Sequence, residues 1–329
     1  MNSRSAHQWI VSPWFDLCFF CNLWWLLAWI PLLVSPEGTS RLEFWQIYFL
    51  TTPHRWLTLI LVATDADRRQ GLNRLFLGIA LVAALVVLLT FSWMGAFVCL
   101  ALVDYVWNSW HFAAQHGGIL RIYARKNGGG RPLLETISVR VFVTYVCLRL
   151  AGWTTGWAEA YPFAMYVIQT VDVLVMALPL TLVVVEVAST RTGRGVAKTI
   201  YLLSVNGLYC SLLLSLWWGH HRLILALTVA SAAFHAMEYL AIVTHYASRR
   251  RERGSASLFQ VMSRRWLQFF TIYVVCLGAF ASFADRQYMQ WWLGLNFWAA
   301  FLHYAYDGLI WKLRQPDTAS TLGVELRES

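Results

Sequence analysis

The chain has 329 residues, 58% of them hydrophobic and only 13% charged, with a mean hydropathy of +0.51. A soluble domain carries roughly 25% charged residues, so lipid must be part of this chain's solvent and an ordinary soluble enzyme is excluded. The formal charge of +9 does not point to nucleic acid, because the basic residues sit in short clusters between apolar runs. That is the pattern of cytoplasmic loops facing anionic lipid headgroups.

Apolar runs bounded by charge, Pro or Gly predict an all-α, polytopic transmembrane bundle of about ten spans. In chain order they lie near 14–35, 43–64, 73–92, 94–118, 136–153, 163–187, 197–219, 222–247, 266–284 and 289–311. A single helical domain thus covers 1–314, and 315–329 reads as a polar, disordered tail. The fifth run is short and carries Arg140 and Arg149. Cys18, Cys21, Cys99, Cys147, Cys210 and Cys276 all fall inside apolar runs and read as small apolar residues, not as disulfides or thiolate ligands.

Orientation follows from Lys and Arg. With the N-terminus inside, 20 of them fall in cytoplasmic segments and 3 (Arg41, Arg222, Arg286) on the other side. The remaining 3 (Arg55, Arg140, Arg149) lie within spans. The positive-inside bias therefore places both termini in the cytoplasm. A bacterial inner membrane is the expected location.

Ionisable groups within spans are rare and usually face the bundle interior or a cavity. Here they fall on helical periods. The second run holds His54, Arg55, Thr58 and Asp65; the fourth holds Asp104, Asn108, His111 and Gln115, with His116 beside them. Ser231, His235, Glu238 and His245 mark the eighth, and Asn296, His303 and Asp307 the tenth. All four runs go from outside to inside. Measured to the first Lys or Arg of the following cytoplasmic segment, His54 and His235 are 14 residues deep, Glu238 is 11, His111 is 10 and His303 is 9. At about 1.5 Å per residue they spread over about 7 Å, which helix tilt absorbs. Asp65, His116, His245 and Asp307 form a shallower layer 3 to 5 residues from the same boundaries. His220 and His221, at the outer end of the seventh run, belong to the interface.

Neutral imidazoles with carboxylates and no thiolate make a site for iron, zinc or copper. The expected ligands are His54, His111, His235, His303 and Glu238 in one centre. Asp307, His116, His245 and Asp65 would form its rim or a second metal's ligands. His111, His235, Glu238, His303 and Asp307 are the expected catalytic groups. Asp104, Asn108, Gln115, Arg55 and Asn296 would orient them from behind. Interhelical hydrogen bonding is the plainer use of any one of these residues, but four histidines at similar depth exceed that need.

At class level the pattern resembles the histidine-rich membrane oxygenases, namely the fatty-acid desaturases and hydroxylases and the β-carotene dioxygenases of the Brp/Blh type. His111 to His116 (HFAAQH) matches the H-x4-H spacing of desaturases, whose H-x2-H-H boxes are absent. Four separate deep histidines are closer to the carotene dioxygenases. The runs WHFAAQHGG and HYAYDGLIWK look like those of bacterial multipass membrane proteins. The resemblance implies a non-haem iron oxygenase holding one or two Fe ions, a lipid or isoprenoid substrate entering from the bilayer, and an external electron donor. Three rivals stay open: an intramembrane zinc hydrolase of ceramidase type, a haem-carrying electron protein and a proton- or ion-coupled transporter.

Overall fold

The first apolar run does not form one helix. In a computed structural model of the chain, α1 (Pro13–Phe19) is capped by Ser12, whose hydroxyl accepts the Phe15 amide at 3.3 Å. Asp16 then draws the chain back on itself, accepting the amides of Ile10 at 2.6 Å and Val11 at 3.0 Å and the Tyr123 hydroxyl at 2.8 Å. Asn22 turns into the left-handed region (φ 46°), where an Asn is tolerated, and a 3-10 segment follows over Leu23–Trp29. A buried carboxylate and a left-handed Asn thus break the span expected over 14–35. Its last residues, 31–35, lie outside the described residues, which are 8–30, 42–69, 71–94, 97–190, 195–253, 257–313 and 316–323. Both extreme termini and Gly95 of the corner after the third run also lie outside them.

The remaining helices follow the apolar runs closely. They are α2 (Phe44–Thr64), α3 (Ala66–Arg69), α4 (Asn73–Met94), α5 (Val98–Lys126), α6 (Pro132–Leu150), α7 (Trp153–Ala160) and α8 (Pro162–Thr190). Then come α9 (Val196–Trp217), α10 (His221–Arg253), α11 (Leu258–Arg264), α12 (Trp266–Gln287), α13 (Met289–Ile310) and α14 (Pro316–Thr321). Local chemistry sets several ends: a Glu43/Gln46 capping box starts α2 and Pro132 occupies the first turn of α6.

Among the described residues, five helices are long and apolar enough to cross a membrane: α4, α8, α9, α10 and α12. Within the most apolar stretch of each, only 11% of α4 and 17% of α12 is buried, against 56% of α9. The outer helices therefore present Leu and Val outward along their length, which suits lipid and not water. Helices α2, α5 and α13 carry the polar stripes, and α6 its two arginines, which lowers their mean hydropathy. The architecture is that of an all-α multipass membrane protein.

The described chain divides into two compact units, interleaved in sequence, with the division falling inside α5 (after Asn108) and inside α10 (after Glu238). In the first unit α8 packs on α6 and α9, and α9 also meets α6 and the 3-10 segment. Arg149 forms a two-pronged pair with Asp172 (2.9 and 3.0 Å), which also accepts Tyr145 at 2.5 Å and Trp217 at 2.8 Å. That accounts for one arginine in the short fifth run. The other, Arg140, lies over the Trp110 ring at 5.4 Å.

In the second unit α13 packs on α2, α4 and α12. Leu302, Tyr306 and Ile310 interlock there with Leu61, Phe76, Tyr246 and Phe259. Part of the segment expected to be a disordered tail is ordered: in α14 Thr318 and Ala319 are fully buried, as is Leu322 just beyond it. Arg68 explains this, because its guanidinium donates to Thr318 at 2.8 Å and to the Ile310 carbonyl at 3.0 Å while lying 4.0 Å over the Tyr246 ring. Residues 324–329 lie outside the described residues.

Candidate metal-binding clusters

In the second unit, α2 and α13 bring His54 and His303 together, with ring centroids 5.0 Å apart and planes at 76°. Both rings are buried. Pro53 precedes His54 in mid-helix, and the Pro53 carbonyl accepts the Tyr273 hydroxyl at 2.6 Å. One turn on from His54, the Thr58 hydroxyl lies 2.6 Å from His303 Nδ1 and 2.6 Å from the Tyr239 hydroxyl. Thr58 is thus placed to set the orientation of the His303 ring. Asp307, one turn beyond His303, approaches the same group from the other side, 3.5 Å from Nδ1 and 3.4 Å from Thr58.

In the first unit, α5 and α10 bring His111 and His235 together, with centroids 4.9 Å apart and planes at 77°. Phe112 stacks flat on His235 at 4.1 Å. Beneath the pair lies a saturated network. The Glu238 carboxylate accepts Gln115 Nε2 at 2.8 Å, Tyr201 at 2.7 Å and His116 Nδ1 at 3.1 Å. His116 Nε2 meets the Tyr209 hydroxyl at 3.2 Å. A neutral imidazole that donates from Nδ1 must accept at Nε2, so both nitrogens of His116 are engaged. Gln115 also donates to the His235 carbonyl at 2.8 Å, which ties the network to the backbone of the histidine above it.

The other expected residues find different partners. Asp65 accepts Tyr246 at 2.5 Å and Arg250 at 2.9 Å, an ion-pair cluster that Asp67 joins at 2.5 Å. His245 Nε2 lies 3.2 Å from the Thr321 carbonyl, so it helps hold α14. Asp104 accepts the Tyr304 hydroxyl at 2.9 Å, and Arg55 donates to that hydroxyl at 3.1 Å. Arg55 thus reaches a carboxylate through one tyrosine. Asn296 bonds back to the Trp292 carbonyl at 2.9 Å, within its own helix. Asn108 is half-buried at the end of the second unit's part of α5, and His220 and His221 are exposed.

Four supporting residues escape a reading based on ionisable groups: Tyr201, Tyr209, Tyr239 and Phe112. Tyr239 carries a signal, since it follows Glu238 and sits four residues after His235 on the same helix. Tyr201 and Tyr209 on α9 carry none, because α9 has no histidine or carboxylate to draw attention to it.

The donor set is nitrogen and oxygen only, which suits iron or zinc. Ligand atoms of His54 and His303 lie within 4.8 Å of each other, as do those of His303 and Asp307. Two ligands of one ion at about 2.0–2.2 Å are at most about 4.4 Å apart, so side-chain adjustments of tenths of an ångström suffice. The second unit therefore brings buried His54 and His303 together with Asp307 as nitrogen and oxygen donors able to chelate a divalent ion. Comparison with protein-family models, with curated proteins and with solved structures finds no match for this chain.

Proposed function

We propose that this chain is an integral membrane metalloenzyme, a non-haem iron oxygenase of the hydroxylase, desaturase or dioxygenase type, acting on a lipid or isoprenoid taken from the bilayer. The observation that carries this reading is the pairing of buried imidazoles, His54 with His303 and His111 with His235, on helices whose other faces are apolar. Interhelical hydrogen bonding alone would spread such rings among Ser, Asn and carbonyl partners. The four histidines, with Asp307, supply the ligands of one or two ions. Thr58 fixes the His303 ring, while Glu238, His116 and Gln115 support the His111–His235 pair. These residues would hold the iron, and the chemistry it would supply when bound is O2 activation at a C–H or C=C bond, with electrons from an external donor. The chain's own contribution is to orient the rings, exclude water and admit an apolar substrate. An apolar cavity of about 260 Å³ in the second unit, walled by Phe91, Phe97, Trp291 and Trp298, suits that last task.

A zinc hydrolase of ceramidase type is the second reading, favoured by the same all-nitrogen-and-oxygen donor set. Elemental analysis with an absorption spectrum of the detergent-purified protein separates iron from zinc and from haem. Iron at one or two per chain without a Soret band supports the oxygenase, and zinc replaces it with the hydrolase. We place both termini in the cytoplasm of a bacterial inner membrane on the 20-to-3 Lys/Arg distribution. A periplasm-active alkaline phosphatase fused at Ser329 would overturn that orientation.

A further inference from the structure

Aromatic rings in the second unit form a continuous ladder from the His54–His303 pair to the arginine-rich end of α10, α11 and α12. Between ring centroids, Tyr239 stands 5.1 Å from His303, and Trp311 follows 6.5 Å from Tyr239. Tyr246 is 5.8 Å from Trp311, Phe259 is 5.5 Å from Tyr246, and Trp266 is 5.8 Å from Phe259. Trp266 is half-buried and opens α12 directly after the exposed Arg264 and Arg265. Its indole donates to the Thr244 hydroxyl at 3.1 Å. The proposed orientation puts this end of the ladder at the cytoplasmic surface.

Packing accounts for touching rings in a chain that is 16% aromatic, but it does not choose the tyrosines' hydrogen-bond acceptors. Tyr48, Tyr273 and Tyr306, outside this path, donate to the backbone carbonyls of Val274, Pro53 and Phe76 at 2.6–2.8 Å. Tyr246 donates instead to a carboxylate, Asp65, at 2.5 Å. A phenol that loses an electron becomes a strong acid and sheds its proton; a carboxylate can take that proton, and a backbone carbonyl cannot. The Arg68 guanidinium lies 4.0 Å over the Tyr246 ring and opposes a cationic ring there. An electron therefore leaves Tyr246 only as its proton crosses to Asp65. Tyr304, 5.7 Å from His303, also donates to a carboxylate, Asp104. That branch leads to Trp107, 5.5 Å away and 38% exposed on a lipid-facing stretch of α5, away from any soluble reductant.

We propose that the ladder drains oxidising equivalents from the His54–His303 site, protecting it when O2 is activated without substrate in place. One electron passes from Tyr246 through Trp311 and Tyr239 to the oxidised metal, and the phenolic proton crosses to Asp65. Trp266 then returns an electron to Tyr246 through Phe259, and the proton comes back from Asp65. A small cytoplasmic thiol reduces Trp266: two thiols give one disulfide and two electrons and release two protons to water. The ladder itself ends unchanged. The protective role rests on the metalloenzyme reading; the electron path does not.

The path is tested in the metal-free, detergent-purified full chain. A photo-oxidising ruthenium complex is attached at position 265 of the Arg265→His variant and flashed with an external electron acceptor. A tyrosyl radical should form by a first-order process that identically treated wild type lacks. Tyr246→Phe and Trp266→Phe should each slow it at least about tenfold, because the hole must then cross two ring spacings in one step. Tyr306→Phe, which alters a buried ring held by a carbonyl, should leave it unchanged. No radical above the wild-type blank, or equal rates in Tyr246→Phe and Tyr306→Phe, overturns the path. In the iron-loaded chain, O2 and a reductant without substrate should leave oxygen adducts on the His303 peptide, read by mass spectrometry. They should accumulate at least about tenfold faster in Tyr246→Phe than in Tyr306→Phe. Equal accumulation overturns the protective role. A chain that binds no iron overturns that role together with the metalloenzyme reading, while the flash experiment still decides the path.

Discussion

The two units hold similar residues and use them differently. In the first, the Glu238 carboxylate accepts three donors at 2.7–3.1 Å, and His116 beside it engages both ring nitrogens. In the second, Asp307 is met by Tyr239, Thr58 and Trp311 and lies 3.5 Å from His303 Nδ1. A carboxylate that gathers the donors of three other side chains orients its neighbours, whereas one set beside an imidazole that faces a second imidazole is placed to share an ion with them. The same letters in a sequence thus stand for a brace in one unit and a ligand in the other.

Exchanging the two carboxylates for amides is the strongest way to break this contrast. Asp307→Asn should act mainly on the metal, lowering its affinity about 100-fold, because a ligand is lost. Glu238→Gln should do the reverse: a smaller loss of metal, but a destabilisation of about 1–3 kcal/mol as Tyr201, Gln115 and His116 lose their common acceptor. Metal titration and thermal melting of both variants read this out, and equal profiles would remove the distinction.

Thr58→Val sharpens the comparison within the second unit. It keeps the shape but removes the hydroxyl beside His303 Nδ1, and metal affinity should fall about tenfold. An unchanged affinity would mean that the His303 ring is oriented by packing alone. Truncation after Gln315 removes α14 and leaves buried Arg68 without Thr318, at a cost of about 1–3 kcal/mol. Limited proteolysis should then cut the second unit sooner.

The smallest effect is in the first unit and depends on pH. Burial pushes the Glu135 carboxyl up, but Lys198 and then Arg121 more than reverse this and hold it below its ordinary value. Its contribution is therefore fully present above about 4.5 and is lost as pH falls through the lower folded value. Melting temperature should drop across that window, and Glu135→Gln should flatten the drop. A wild-type slope that survives the substitution would assign it to another carboxylate.

Much of this was legible beforehand because a bilayer makes polarity expensive. The stripes on α2, α5, α10 and α13 are visible as His and Asp where Leu is the rule, and each unit pairs two of the four deep histidines. The broken first run was also marked, by Asp16 and Asn22 within apolar residues, though length alone suggested a span. What periodicity could not reveal is which polar side chains satisfy one another. Asp65 looks like a rim ligand until Arg250 and Tyr246 are beside it, and His116 looks like a ligand until Tyr209 reaches its second nitrogen. Those partners come from distant positions on other helices, and α9 offers its tyrosines with no histidine or carboxylate to announce them.

The most direct test is the metal content, per chain, of anaerobically purified wild type and of His54→Ala, His111→Ala, His235→Ala and His303→Ala. The account predicts one or two irons in the wild type, loss of most of it in all four variants with membrane insertion intact, and full retention in His220→Ala. Wild-type protein devoid of metal after iron-replete growth, or four variants that keep the wild-type content, would contradict it.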